Sequence, residues 1–213
     1  KISEMKVLMS GNEAIARGAY EHGVRFAAGY PGTPSTEIME AYAQYEGVYA
    51  EWSPNEKVAL EAAVGAAVAS EKALAVMKHV GVNVAADPLF TASYTGTNRA
   101  LVIISADDPS MHSSQNEQDN RNYAKFAKVP MLEPCDSQEA KEFIKIAFDL
   151  SEQFDTPVFL RTTTRVAHSK SIVTLEEPGI FEDKTAVQTN AAKYVMVPGN
   201  SRVRRQLVEK RTA

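Results

Sequence analysis

The sequence predicts an α/β fold: three layers, αβα, around an open and mainly parallel sheet of about six strands. Three observations point there. Short apolar runs alternate with longer helix-patterned segments from Met5 to Thr164. One run, ALVIIS from Ala100 to Ser105, is broken by no charge, as a strand covered on both faces would be. The segment EWSPNEKVALEAAVGAAVAS, from Glu51 to Ser70, is apolar around most of a helical circumference from Val58 onward, which suits a helix packed on several sides.

Taken in order, Met5 to Met9 is a short apolar run, and Ser10 or Asn12 can cap a helix through about Tyr20 that Gly23 ends. Val24 to Ala28 reads as a buried strand. It runs into Gly29-Tyr30-Pro31-Gly32-Thr33-Pro34-Ser35, whose glycines and prolines preset a tight turn before a helix from Ser35 to Tyr45. Val48 to Glu51 is a short strand ahead of the Ala-rich helix, and Ala73 to Met77 is another, with Lys78 and His79 at its end. A helix starting near Val82 follows, interrupted at Asp87-Pro88. After ALVIIS, the polar ADDPSMHSSQNEQDNRNYAKFAK reads as a solvated loop and helix, or as a loop long enough to cover a site. A strand from Val129 to Glu133, a helix from Ser137 to Phe154 and a strand from Val158 to Thr163 complete the alternation. Periodicity fails from His168, Pro178-Gly179 marks a linker, and the basic SRVRRQLVEKRTA reads as one solvated helix. The expected organisation is a domain over 1–167 and a linker or arm over 168–213, leading towards a further domain.

Composition narrows the function classes. With 213 residues, 44% hydrophobic and 23% charged, the chain is an ordinary globular one with a single sizeable core. A net charge of −4 gives no electrostatic case for nucleic acid or an anionic membrane. The single cysteine, Cys135, rules out an intrachain disulfide and any cysteine-held cluster within this chain, and fits a cytoplasmic setting. No apolar run long enough to span a bilayer and no signal-peptide pattern is present. The turn after the first buried strand is neither G-x-G-x-x-G nor a P-loop, and the polar stretch has no H-E-x-x-H and no EF-hand ladder, so no metal site is assigned.

Two places can carry chemistry. Glu56 has a local reading, in which Ser53 is the N-cap, Pro54 is N1 and Glu56 closes a capping box at N3. It also has a chemical one: an apolar wall would raise its pKa so that it shares a proton with a ligand nitrogen near neutral pH. The Gly29 to Ser35 turn likewise reads as a plain βα connection with Thr33 as N-cap and Pro34 at N1. Alternatively, the hydroxyls of Thr33 and Ser35 and the free amides at the helix start receive an anionic ligand such as a carboxylate.

GYPGTPSTEI, EWSPNEKVALEAAVGAA, MKHVGVNVAADP and SADDPSMHSSQNEQDNRNYAKFAKVPMLEP, in unbroken order from about Met5 to Thr164, closely resemble one family. It is the amino-terminal pyrimidine-binding domain of the indolepyruvate ferredoxin oxidoreductase alpha subunit, among the thiamine-diphosphate-dependent 2-oxoacid:ferredoxin oxidoreductases. The resemblance implies the pyrimidine-binding type of the thiamine-diphosphate fold. It implies that Glu56 activates the cofactor by giving a hydrogen bond or proton to its aminopyrimidine, and that Thr33 contacts the keto-acid carboxylate. Gly32 and Pro34 become cofactor-binding candidates beside Glu56; Ser35 and His79 become substrate-binding candidates beside Thr33. Glu61 fits the glutamate's place less well. At the place where pyruvate enzymes of the group use an arginine, this sequence has Tyr94 nearby and Arg99 close, which favours a bulky aryl pyruvate over pyruvate. A diphosphate-binding domain and a second subunit, with magnesium and iron–sulfur clusters, are implied elsewhere in the enzyme, as are ferredoxin, coenzyme A and a homo- or hetero-oligomeric assembly. The isolated chain is expected to be inactive. A docking domain that keeps the fold and assembles subunits without chemistry is the competing expectation.

Overall fold

The computed structural model describes residues 5–181, 187 and 189–212; the rest of the expected arm lies outside these. Strand β1 (Lys6–Ser10) stands apart from the main sheet, which contains β2 (Phe26–Gly29), β3 (Tyr49–Trp52), β4 (Ala73–Lys78), β5 (Leu101–Asp107), β6 (Met131–Leu132) and β7 (Val158–Thr163). These six lie in the order β3-β2-β4-β5-β7-β6, every neighbour parallel. β8 (Lys170–Thr174) pairs antiparallel with β1 as a two-stranded ribbon. The helices are α1 (Gly11–Glu21), α2 (Thr36–Tyr42), α3 (Glu56–Val68), α4 (His79–Val84), α5 (Ala86–Thr95), α6 (Arg121–Ala127), α7 (Ser137–Phe154), α8 (Thr164–His168), α9 (Ala191–Tyr194) and α10 (Pro198–Thr212).

The period of two along the strands builds the three layers. In β4, Leu74 and Val76 face the layer of α1, α2 and α7, whereas Ala73, Ala75 and Met77 face that of α3 to α6. In β5, Val102 and Ile104 take the first side and Leu101 and Ile103 the second. A strand apolar at every position is therefore covered twice, and each large side chain so buried contributes roughly 1.5–3 kcal/mol. The α/β expectation holds, and the sheet is wholly parallel.

The strand order creates one switch. From β2 the chain moves outward through α2 to β3, then crosses back through α3 to β4 on the other flank of β2. Because α2 and α3 pack on opposite faces, the loops leaving β2 and β4 part at the carboxyl edge, where a crevice opens in folds of this kind.

Several local expectations are corrected. The helix drawn from near Val82 is two helices meeting at Ala85, and Pro88 falls in the first turn of α5, where a missing amide hydrogen costs little. Lys170 to Thr174, within the segment read as aperiodic, is a strand because β1 offers it a partner. The basic tail is helical but not simply solvated. Arg204 donates to the carbonyls of Tyr94 (2.6 Å) and Thr95 (3.0 Å), and Arg211 donates to that of Ser93 (3.0 Å), at the carbonyl-rich end of α5. Among the described residues no helix is long and apolar enough to cross a membrane.

Candidate active site at the carboxyl edge of the sheet

The β2 loop is held from within. Both the amide and the hydroxyl of Ser35 donate to the Gly32 carbonyl, at 2.8 and 2.7 Å, and the Gly32 amide donates to Thr36 Oγ1 at 2.8 Å. Asn12, buried on α1, donates to the Pro34 carbonyl at 2.8 Å and to Glu37 at 3.1 Å. The peptide between Thr33 and Pro34 is cis. The expectation of Thr33 as N-cap and Pro34 at N1 is therefore wrong: α2 begins at Thr36, after Ser35. Ser35 is buried with its hydroxyl engaged inside the turn, so it shapes the loop, while Thr33 stands exposed at its tip.

The capping box expected at α3 does not form either. Asn55 is the N-cap, its side chain accepting from the Val58 amide at 3.0 Å, and Ser53 Oγ is buried with no hydrogen-bond partner among the described residues. Asparagine caps at least as well as serine, and its choice starts the helix at Glu56. Glu56, only 8% exposed, turns its carboxyl onto the bare Cα of Gly81 in α4. A Cβ there would lie 2.6 Å from Glu56 Cγ and 2.7 Å from Oε1. Among the described residues nothing donates a side-chain hydrogen bond to this carboxylate; the positive end of α3 is beside it. Glu61 is exposed and lies 4.0 Å from Lys57, away from this corner.

β4 delivers two more groups. Lys78 lays its stem against Gly32, whose added Cβ would come 2.9 Å from Lys78 Cδ, and its ammonium donates to the Ser113 carbonyl at 2.9 Å. His79 is fully buried. Its Nε2 lies 2.9 Å from the Asn116 carbonyl, which can only accept, so the hydrogen belongs on Nε2; Nδ1 has no partner among the described residues. His79 thus lies beneath the loop after β5.

That loop is exposed over most of 109–119, as read, and is anchored at its start by two buried acids. Asp108 is buried and accepts from the Ser113 amide (2.8 Å), Ser114 Oγ (2.6 Å) and Thr164 Oγ1 (2.7 Å). Burial pushes its carboxyl up, but the hydrogen bonds from Ser114, Ser113 and Thr164 outweigh burial and hold it well below the usual carboxylate range. Asp107 accepts from Arg161 Nε at 2.8 Å, from Ser105 Oγ at 2.9 Å and from the Asn120 amide at 3.1 Å, and Arg161 also reaches Glu133. Asn120 in turn donates to the His79 carbonyl at 3.1 Å. Sequence reasoning missed Lys78, Gly81, Asn12 and Asn120 as parts of the site. Lys78 at the end of β4 and Gly81 just beyond it carried a visible signal in their position, whereas Asn12 on α1 and Asn120 before α6 are brought in only by tertiary packing.

The corner suits the aminopyrimidine end of a thiamine cofactor in one testable respect. It holds a buried carboxyl, free of side-chain donors among the described residues, at a glycine-walled edge. Among the described residues no group of three or more His, Cys, Asp or Glu is arranged for a metal ion.

Comparison with known proteins agrees with the resemblance in the sequence. Residues 17–212 match the family described as pyruvate flavodoxin/ferredoxin oxidoreductase, thiamine-diphosphate-binding. The chain is 55% identical over 177 residues to the indolepyruvate oxidoreductase subunit IorA of Archaeoglobus fulgidus, covering 80% of this chain and 28% of that protein. It is 49% identical over 209 residues to that of Methanothermobacter marburgensis, covering 96% and 34% respectively. The 2-oxoglutarate synthase subunit KorA of Methanocaldococcus jannaschii is 33% identical over 183 residues, covering 81% of this chain and 50% of that one. This chain thus spans about a third of the indolepyruvate oxidoreductase subunits it matches. In fold, it superposes over its full length on 45% of a 2-oxoglutarate:ferredoxin oxidoreductase chain from Magnetococcus marinus, with a TM-score of 0.77 and 16% identity. With a family model matched from residue 17 to 212, the chain belongs to the thiamine-diphosphate-binding part of the pyruvate flavodoxin/ferredoxin oxidoreductase family.

Proposed function

We propose that this chain is the pyrimidine-binding half of the active site of an indolepyruvate, or aryl pyruvate, ferredoxin oxidoreductase. The observation that carries the reading is Glu56: a buried carboxyl at a helix start, packed on the missing side chain of Gly81 at the sheet's switch point. When bound, thiamine diphosphate supplies the electron sink that lets a 2-oxoacid lose CO2. Glu56 holds a proton between its carboxyl and the aminopyrimidine ring, which is general acid–base work at a fixed place. Gly32 and Pro34 set the floor against which the cofactor lies. Thr33, exposed at the loop tip, turns its hydroxyl to the substrate, and Ser35 and His79 position the two loops from below.

The whole enzyme would oxidise the 2-oxoacid to an acyl-CoA and pass two electrons to ferredoxin, in the cytoplasm, as a homo- or hetero-oligomer. A diphosphate-binding domain and a second subunit would bring the magnesium ion and the iron–sulfur clusters, since Cys135 alone cannot ligate a cluster. In this organisation 1–167 is the pyrimidine-binding unit and 168–213 an arm. The isolated chain is expected to reduce neither ferredoxin nor a dye.

The test is deuterium exchange at C2 of thiamine diphosphate in the assembled enzyme, Glu56 against Glu56→Gln. Asn55 carries the cap, so glutamine leaves the helix start intact. Exchange falling roughly 10²- to 10⁴-fold with an unchanged melting temperature supports the reading. Unchanged exchange would leave a docking domain in its place.

A further inference from the structure

Lys78 is buried, 9% exposed, and no carboxylate among the described residues comes within ion-pair distance of it. Among the described residues its one hydrogen-bond partner is the Ser113 carbonyl, which takes one of its three N–H groups. An ammonium removed from water without a counter-ion is costly, so a protein that keeps one has a use for it. The acids next to it in the fold are engaged elsewhere: Asp107 by Arg161, Ser105 and Asn120, and Asp108 by Ser113, Ser114 and Thr164.

Its position is fixed by the backbone. Lys78 is the last residue of β4, paired with Ala106, so it sits at the carboxyl edge. Its stem lies on Gly32, immediately before the exposed Thr33, and Gly81, against which Glu56 packs, is one helical turn further along the chain. The ammonium is thus held beside the loop of Thr33, where it reaches the Ser113 carbonyl of the loop after β5. The two candidates near the place of the family arginine, Arg99 and Tyr94, are elsewhere. Arg99 precedes β5, at the amino edge of a parallel sheet, and pairs with Glu152 at 3.5 Å. Tyr94, at the end of α5, receives Arg205 at 3.0 Å.

We propose that Lys78 is the substrate-binding cation of this site, holding the carboxylate of the 2-oxoacid beside Thr33 and making the enzyme select an acid over a neutral analogue. The inference rests on the proposed function for the reaction but is tested by equilibrium binding. Indole-3-propionate and its carboxamide are titrated calorimetrically into the assembled, cofactor-loaded enzyme. The wild type binds the acid more tightly. Lys78→Met weakens the acid by about 10- to 100-fold, the loss of a charge-assisted hydrogen bond, and leaves the amide unchanged. Lys78→Arg, which keeps the charge and a donor, retains most of the preference and covers the case in which the methionine variant fails to assemble. Equal binding of acid and amide by the wild type, or a preference that survives in Lys78→Met, would each overturn the assignment. A wild type that prefers the acid yet oxidises no aryl 2-oxoacid defeats the proposed function and leaves Lys78 standing.

Discussion

Glu56 owes its place to the residue before it. Because Asn55 takes the N-cap, Glu56 is freed from a capping box and aims across at α4. Asn55→Ala should cost about 1 kcal/mol in thermal or urea unfolding, whereas Ser53→Ala, which removes a hydroxyl with no partner, should cost almost nothing; the reverse order would restore the capping box. Gly81→Ala places a methyl where the carboxyl lies and should displace it, slowing C2 exchange more than tenfold at a stability cost of about 1 kcal/mol or less, since the clash is with the movable end of a side chain. The glutamate itself was legible because it opens a conspicuous apolar helix. Its orientation was not, since three residues in a row, Ser53, Pro54 and Asn55, offer competing helix starts and only packing decides among them. Lys78 was visible as a strand end, but its lack of an acid partner is a fact of three dimensions.

At the scale of elements, the six central strands and the helix from Ser137 to Phe154 were readable because burial on two faces and a clean amphipathic stripe leave few alternatives. The loop after β5 is exposed over most of 109–119, as read, but its start was not legible: Asp107 and Asp108 look solvated in sequence, yet both are buried as hydrogen-bond acceptors. That gives the loop a pH dependence. Asp108 binds its proton less readily folded than unfolded, so its stabilising effect is complete above the unfolded carboxylate pKa, about 3.9, and is lost as pH falls from there through its depressed folded value. Melting temperature followed from pH 5 to pH 2.5 should drop less steeply in Asp108→Asn than in the wild type, and parallel curves would show that the loop is held by something else.

The molecule as a whole is tied together by charge across the strand ends of its sheet. Arg161 on β7 joins Asp107 at the end of β5 to Glu133 just beyond β6, so the sheet's far half and the loop over His79 share one buried guanidinium. Arg161→Met leaves Asp107 buried and uncompensated and should lower unfolding free energy by about 3–5 kcal/mol, measured in urea; a loss under 1 kcal/mol would mean water reaches the pair. The small ribbon of β1 and β8 has a mechanical meaning. Its register sets Lys6 opposite Thr174 and Ser10 opposite Lys170, so tension applied at residues 5 and 175 acts on one end of the ribbon and opens its rungs one at a time. Such a peel needs far less force than shearing strands past each other. Under load this ribbon would yield first and lengthen the chain while the parallel sheet, and the crevice it supports, keep their shape.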